Sequence, residues 1–300
     1  MLTTPTLPHP DPHGSPPPQA QERRVRRVMV GVGIDSASAT ALVRADHFAR
    51  VLDAALTIVH VIPSRRPFEP LTREVPQEVA RATPLVRACI GPVRRWAESL
   101  LGREIQPGAL VLGHGPVEKT LLDAVRDVTP DLLVLGPGRL TRRLVCSGRR
   151  PLLVARPSTG TARIVASTDF SDPTFPVLRR AVDLGRRLNA DVTFVTSARS
   201  AEAPARAEDA PEPLVHALTS RFGGPLEVVC SARAAPDAAL AAARERRADL
   251  LVVGSRPSSS HGWPEDAGQQ VADAASCSVL VVPLRGASRE SRRPIGSGAP

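Results

Sequence analysis

Apolar runs of strand length alternate along this chain with stretches whose apolar residues recur every three or four positions. Val28–Asp35 (VMVGVGID) is such a run, closed by an acid. The following Ser36–Ala54 sets Leu42, Ala45, Ala49 and Leu52 on one face at helical spacing. Ala55–Pro63 (ALTIVHVIP) is rich in β-branched residues and stops at proline, as a strand does. A loop containing Pro and Arg leads to Val79–Leu101, which reads as a helix that Pro84 and Pro92 break or kink. A strand over Ala109–Gly115 follows, then a helix over Val117–Val128 entered through Pro116. Asp131–Pro137 and Arg150–Pro157 read as the fourth and fifth strands.

The second half replays that order. Arg163–Ser171 is a strand ending in Asp169, and Pro176–Ala190 a helix. Asp191–Ala198 is a strand, the stretch to Pro213 a loop, and a short helix runs to about Phe222. Strand, helix, strand and strand close the half over Pro225–Ala232, Asp237–Ala248, Asp249–Ser255 and Cys277–Leu284. Asp131-Leu-Leu-Val-Leu-Gly136 and Asp249-Leu-Leu-Val-Val-Gly254 are nearly the same phrase, so one domain is written twice. The predicted organisation is a Pro-rich disordered arm over 1–24, domains over 25–158 and 161–285, and a basic disordered tail over 286–300. Strands and helices alternating at these lengths are βαβ units with parallel pairing. The strands are apolar throughout, so they are buried on both faces of doubly wound α/β sheets. Duplication predicts two such sheets; one continuous sheet would contradict it. Ligands in such folds sit beyond the carboxyl ends of the strands, where strand order reverses, which singles out the residues after the first and fourth strands.

Composition narrows the chemistry. The chain is 42% hydrophobic, enough for true cores, and no apolar run reaches the length of a membrane helix. Its start lacks the apolar segment of a secretory signal. Cys89, Cys146, Cys230 and Cys277 form no CxxC pair and read as reduced thiols, which places the protein in the cytoplasm. The net charge of +9 is concentrated partly in the two tails, and aromatic residues make up only 3%, so nucleic acid is not the expected partner. His60 lies inside a strand and reads as core; His47, His114 and His261 share no metal-ligand spacing. No HExxH, GxSxG or Walker lysine appears. Arg139, Arg142, Arg143, Arg149 and Arg150, after the fourth strand of the first copy, are either a solvated helix face or an anion site.

The acids ending the first strands (Asp35, Asp169), the two D-L-L-V-x-G strands, and last strands ending near proline (LLVARP, VLVVP) together resemble a tandem universal stress protein. The resemblance implies a five-stranded parallel sheet per domain, the two domains pairing through their last strands as a pseudo-dimer. It implies cytoplasmic stress-survival roles, action through protein partners or self-association, and no catalysis. One branch of the family binds ATP, the acid of the first strand meeting adenine and a Gly-x2-Gly-x9-Gly-Ser/Thr stretch cradling the phosphates. Carried onto this chain, the nucleotide-binding positions are Asp35, Gly136 and Gly138 in the first copy and Asp169, Gly254 and Ser255 in the second.

Both copies depart from that cradle. Gly136-Pro137-Gly138 sets the glycines two apart, removes a donor at proline, and leaves no room for the x9 segment before the last strand. In the second copy Pro257 stands at the second glycine, and either Glu265-Asp266 or Ala267-Gly268 falls where Gly-Ser is needed. The expected protein therefore has degenerate phosphate loops and no cofactor, metal or membrane partner. The alternative is a stress protein that holds ATP in its second domain through Asp169, Gly254, Ser255 and the Ser258–Ser260 run.

Overall fold

The computed structural model describes residues 25–65, 69–147, 150–158, 160–168, 175–197, 227–255 and 267–284. The first half runs β1 (Arg27–Val32), α1 (Ser36–Leu52), β2 (Ala55–Pro63), β3 (Glu69–Arg73), α2 (Pro76–Arg81), α3 (Pro84–Leu101), β4 (Leu110–Gly115), α4 (Val117–Val128), β5 (Leu132–Leu135), α5 (Arg139–Ser147) and β6 (Leu152–Val154). The second runs β7 (Arg163–Ser167), α6 (Pro176–Leu188), β8 (Asp191–Ser197), β9 (Glu227–Ser231), α7 (Ala235–Glu245), β10 (Leu250–Ser255), α8 (Ala267–Ala274) and β11 (Ser278–Pro283). The predicted disordered arm and tail, and the short helix ending near Phe222, lie outside the described residues.

The strands form one sheet in the order β3-β4-β2-β1-β5-β6-β11-β10-β7-β8-β9. From the centre outward, each half keeps the same winding, with β1 between β2 and β5 in the first and β7 between β8 and β10 in the second. The expectation that duplication forbids a continuous sheet is thus corrected. The two windings are complete, but their last strands meet edge to edge, β6 antiparallel to β11, with Leu153 opposite Leu280. The physical reason is that each last strand would otherwise present an apolar edge with unpaired backbone groups to water. All other pairings are parallel except at the far edge, where β3 runs antiparallel to β4. That strand corrects the five-strand expectation for the first half. Glu69–Arg73 is short and contains Pro70, which an edge strand tolerates because a backbone nitrogen on its outer side has no ladder bond to donate.

Alternation along the strands feeds two apolar layers. Val28, Val30, Leu132, Val134, Leu153, Leu250, Val252 and Leu280 face one way, packing with α1, α3 and α6. Met29, Leu133, Leu135, Val154, Leu251, Val253 and Val279 face the other, packing with α4, α5, α7 and α8. Each layer runs unbroken through both halves. The predicted helix over Val79–Leu101 is two helices. Thr83 caps the second, its Oγ1 accepting from Val86 N at 3.4 Å, and Pro84 occupies its first turn. Pro84 therefore starts a helix, as its fixed φ favours, and Pro92 lies inside α3 without ending it.

Candidate functional site

The point where strand order reverses falls between β1 and β5 in the first half and between β7 and β10 in the second, and a crevice opens beyond each. The first measures about 290 Å³, and much of its wall is apolar, from Val59, Val61, Leu121 and Leu135. Asp35 stands at its rim as the N-cap of α1, Oδ1 accepting from Ser38 N at 2.7 Å. Ser38 Oγ in turn accepts from Gly33 N at 2.8 Å. The acid is therefore committed, through one oxygen, to an orphan helix donor. Gly136 lies against the first turn of α1: a Cβ there would stand 3.1 Å from the carbonyl oxygen of Ala37. Its own carbonyl accepts from Thr141 Oγ1 at 2.6 Å. The glycine is thus explained by close approach of two backbones. Gly138, by contrast, faces open space. Arg142 N donates to Gly138 O at 3.2 Å, so α5 begins directly after Gly138.

The second crevice is about 360 Å³, bounded by Ser167, Ala235, Pro236, Gly268 and Leu284. Gly254 belongs to it, but a Cβ there would sit 2.7 Å from Leu284 Cδ1, so the leucine side chain covers this glycine. Ser255 turns the other way. It is buried, and its hydroxyl donates to Val145 O of α5 at 3.4 Å, across the junction of the halves. Asp169, Ser258–Ser260, Glu265 and Asp266 lie outside the described residues. Of the six sequence-predicted positions, Asp35, Gly136 and Gly138 gather at one crevice, Gly254 lines the other, and Ser255 serves the domain contact.

The acids that open the repeated D-L-L-V phrases have a shared role. Asp131 Oδ2 accepts from Arg26 N and Arg27 N at 2.9 and 3.1 Å, and Asp249 Oδ2 from Ala162 N and Arg163 N at 3.1 Å each. Each carboxylate pins the chain entering the first strand of its own copy. The arginines after β5 are largely committed as well. Arg142 pairs with Asp273 of α8 at 3.0 Å, Arg143 with Glu118, and Arg150 donates to Pro130 O at 2.8 Å. Arg149 lies outside the described residues. Sequence reasoning missed Arg44 and Arg156, both of which reach backbone carbonyls across the junction. Their only sequence signal is an arginine inside a helical apolar pattern and one directly after a strand.

No group of three or more His, Cys, Asp or Glu side chains converges on a metal position among the described residues. His60 fills core space, its Nδ1 3.0 Å from Val32 O. Burial pushes the Cys230 and Cys277 thiols up, which keeps them protonated and unreactive. His47 on α1 has a buried Nε2 with no hydrogen-bond partner among the described residues. Burial first, then Arg44 and Arg50, lower its pKa below 6.5, against an opposing pull from Asp46. The neutral ring therefore favours the folded state. Between the lowered value and 6.5 the unfolded chain binds more protons, so His47's contribution is complete above 6.5 and fades as pH falls. Wild-type protein is expected to lose more stability than His47→Gln between about pH 7.5 and 5.5 in urea titrations. Equal losses would show that the ring titrates freely.

Among the described residues no helix is long and apolar enough to cross a membrane. A sequence profile of the universal stress protein family matches residues 24–147 and again 160–283. No curated protein sequence matches the chain. Among solved structures, a universal stress protein from Archaeoglobus fulgidus DSM 4304 superposes with a TM-score of 0.60 at 13% identity, covering 86% of this chain and 96% of that one. A functionally unknown protein from Pseudomonas aeruginosa PAO1 superposes with a TM-score of 0.58 at 14% identity, covering 89% and 94%. At such identities the likeness is one of fold. With its duplicated winding and two profile matches, the chain belongs to the universal stress protein family and carries two of its domains in tandem.

Proposed function

We propose that this tandem protein is a non-catalytic cytoplasmic stress-response module that works through protein contacts and does not hold ATP in the manner of the nucleotide-binding branch of its family. The observation that carries the reading is the run of Gly136, Pro137 and Gly138 straight into α5. A phosphate cradle needs several backbone N–H groups turned toward one point. Here Pro137 has none, and Gly136 is spent on contact with Ala37. In the second half, Leu284 lies over Gly254 and Ser255 is turned into the domain junction, which supports the same reading.

One observation favours a second reading, adenine-nucleotide binding in the second domain. The starts of α7 and α8 both border its crevice, and helix N-termini favour anions. Equilibrium titration with labelled ATP, with and without Mg²⁺, separates the two. No saturable binding is expected, nor any adenylate in extracts of the purified protein. Near-stoichiometric nucleotide, lost in Asp169→Ala, would establish the second reading in its place.

A further inference from the structure

The segment that carries the chain from one half to the other is gripped from both sides. On the second half, Asp249 takes Ala162 N and Arg163 N, and Ser158 Oγ lies 3.4 Å from its Oδ1. From the first half α1 sends Arg44, whose Nη1 donates to Gly160 O at 3.0 Å and Nη2 to Thr161 Oγ1 at 2.9 Å. The guanidinium lies 5.4 Å from the centre of the Phe48 ring, and the residue is only 5% exposed. Among the described residues its Nε has no acceptor, and Asp249 supports its charge only from a distance, without a direct ion pair. Burial lowers the pKa of this group. An apolar side chain of similar length would fill the space with little or no loss of folding free energy, because a desolvated cation is a poor source of stability. What a buried, directional group of this kind can supply is the choice of one arrangement over another.

The pseudo-twofold shows what is being chosen. Arg44 and Arg180 sit at the same distance before the left-handed caps of their helices, Asp53 and Asn189. Arg180 lines a crevice with Val25 and Asp131, the counterparts of Thr161 and Asp249. Each arginine thus faces the segment entering the other domain. For Arg44 that segment is the connection itself. The ladder of β6 on β11 cannot tell its own chain from another, since Leu152–Val154 would meet Val279–Val281 identically in either case. Reciprocal exchange between two chains is then a low-cost alternative, set by how the connection turns.

We propose that Arg44 is a latch, holding the connecting segment at Gly160 and Thr161 in the turn that returns the second domain to its own chain, against exchange with a second copy. The test is refolding of the full chain from urea at low and high protein concentration, followed by dilution and native mass spectrometry. Wild-type protein is expected to give the same proportion of single chains at both concentrations. Arg44→Met should keep a urea midpoint close to wild type yet raise the ratio of two-chain to single-chain protein at least about tenfold, as loss of one charged hydrogen bond would. The two-chain form should rise with refolding concentration and persist on dilution, since it separates only by opening the seam. Thr161→Val, which removes one acceptor, should show a smaller rise and decides the matter if Arg44→Met fails to fold. Distributions equal to wild type in the folded variants, or a two-chain form that dissociates at once on dilution, would overturn the latch.

Discussion

Leu153→Asp is expected to leave the protein unfolded in water at 25 °C. Leu153 is wholly buried on β6, between Val134 of β5 and Leu280 of β11, in the apolar layer shared by both halves. Removing its side chain costs about 2–5 kcal/mol through lost transfer energy and the cavity left behind. The carboxylate that replaces it is buried among apolar side chains, with Arg180 the one cation among the described residues lining the same small crevice, beside Asp131, and its desolvation adds several kcal/mol more or forces water into the seam. The sum is of the order of a whole domain's stability, about 5–15 kcal/mol. Leu153→Ala, which leaves only the cavity, should fold with a lowered urea midpoint. The measurement is urea unfolding followed by far-UV circular dichroism and by fluorescence of Trp96, which packs on the first-half core, in a Trp263→Phe background. The two probes should give coincident transitions in wild type, because the layers do not stop at the seam. A Trp96 transition left at its wild-type midpoint in Leu153→Asp would mean that the halves fold independently.

The seam was legible in the sequence only as an implication of family likeness, whereas the duplication itself was written in the residues. Two D-L-L-V phrases, two acids after a first strand and two proline-ended last strands are enough to count copies. Such patterns record which residues are apolar and how they are spaced, so windings and layers follow from them. They do not record which edge meets which. β3 escaped because five residues with an internal proline carry no strand signal of their own; the partner β4 makes them a strand. The contact that Ser255 makes with Val145 of α5 was not legible for a different reason. Its chemistry suits a phosphate, but α5 of the first half packs across the junction and Val145 O takes its hydroxyl, a contact between copies that spacing does not record. Asp35 caps α1 because an acid directly before a helical pattern is satisfied locally by the first orphan donors. Arg44 was invisible, because a polar residue in a helical pattern is read as solvated until a connecting segment folds over it.

Asp131→Ala and Asp249→Ala should destabilise the protein by similar amounts, about 1–2 kcal/mol each, and the double variant by about 2–4 kcal/mol. Each carboxylate accepts from two successive backbone N–H groups ahead of a first strand, and alanine leaves both donors without that partner. A charged acceptor shared by two donors would be worth more in a dry core, but water reaches both sites, which holds the figure down. Releasing the two pinned segments has different consequences. In the first copy the chain ahead of β1 is freed. In the second, the freed residues, Ala162 and Arg163, directly follow Gly160 and Thr161, which Arg44 grips, so Asp249→Ala should also loosen the connection. Near-additivity in urea unfolding would show two separate anchors, as expected for sites that share no partner. Asparagine at either position keeps one acceptor oxygen and should recover part of the loss. If instead both alanine variants keep wild-type midpoints, the repeated acid is not an anchor. Its recurrence in both copies would then require a role outside the fold, and the crevices beyond the strands, at the opposite ends of β5 and β10, could not supply it.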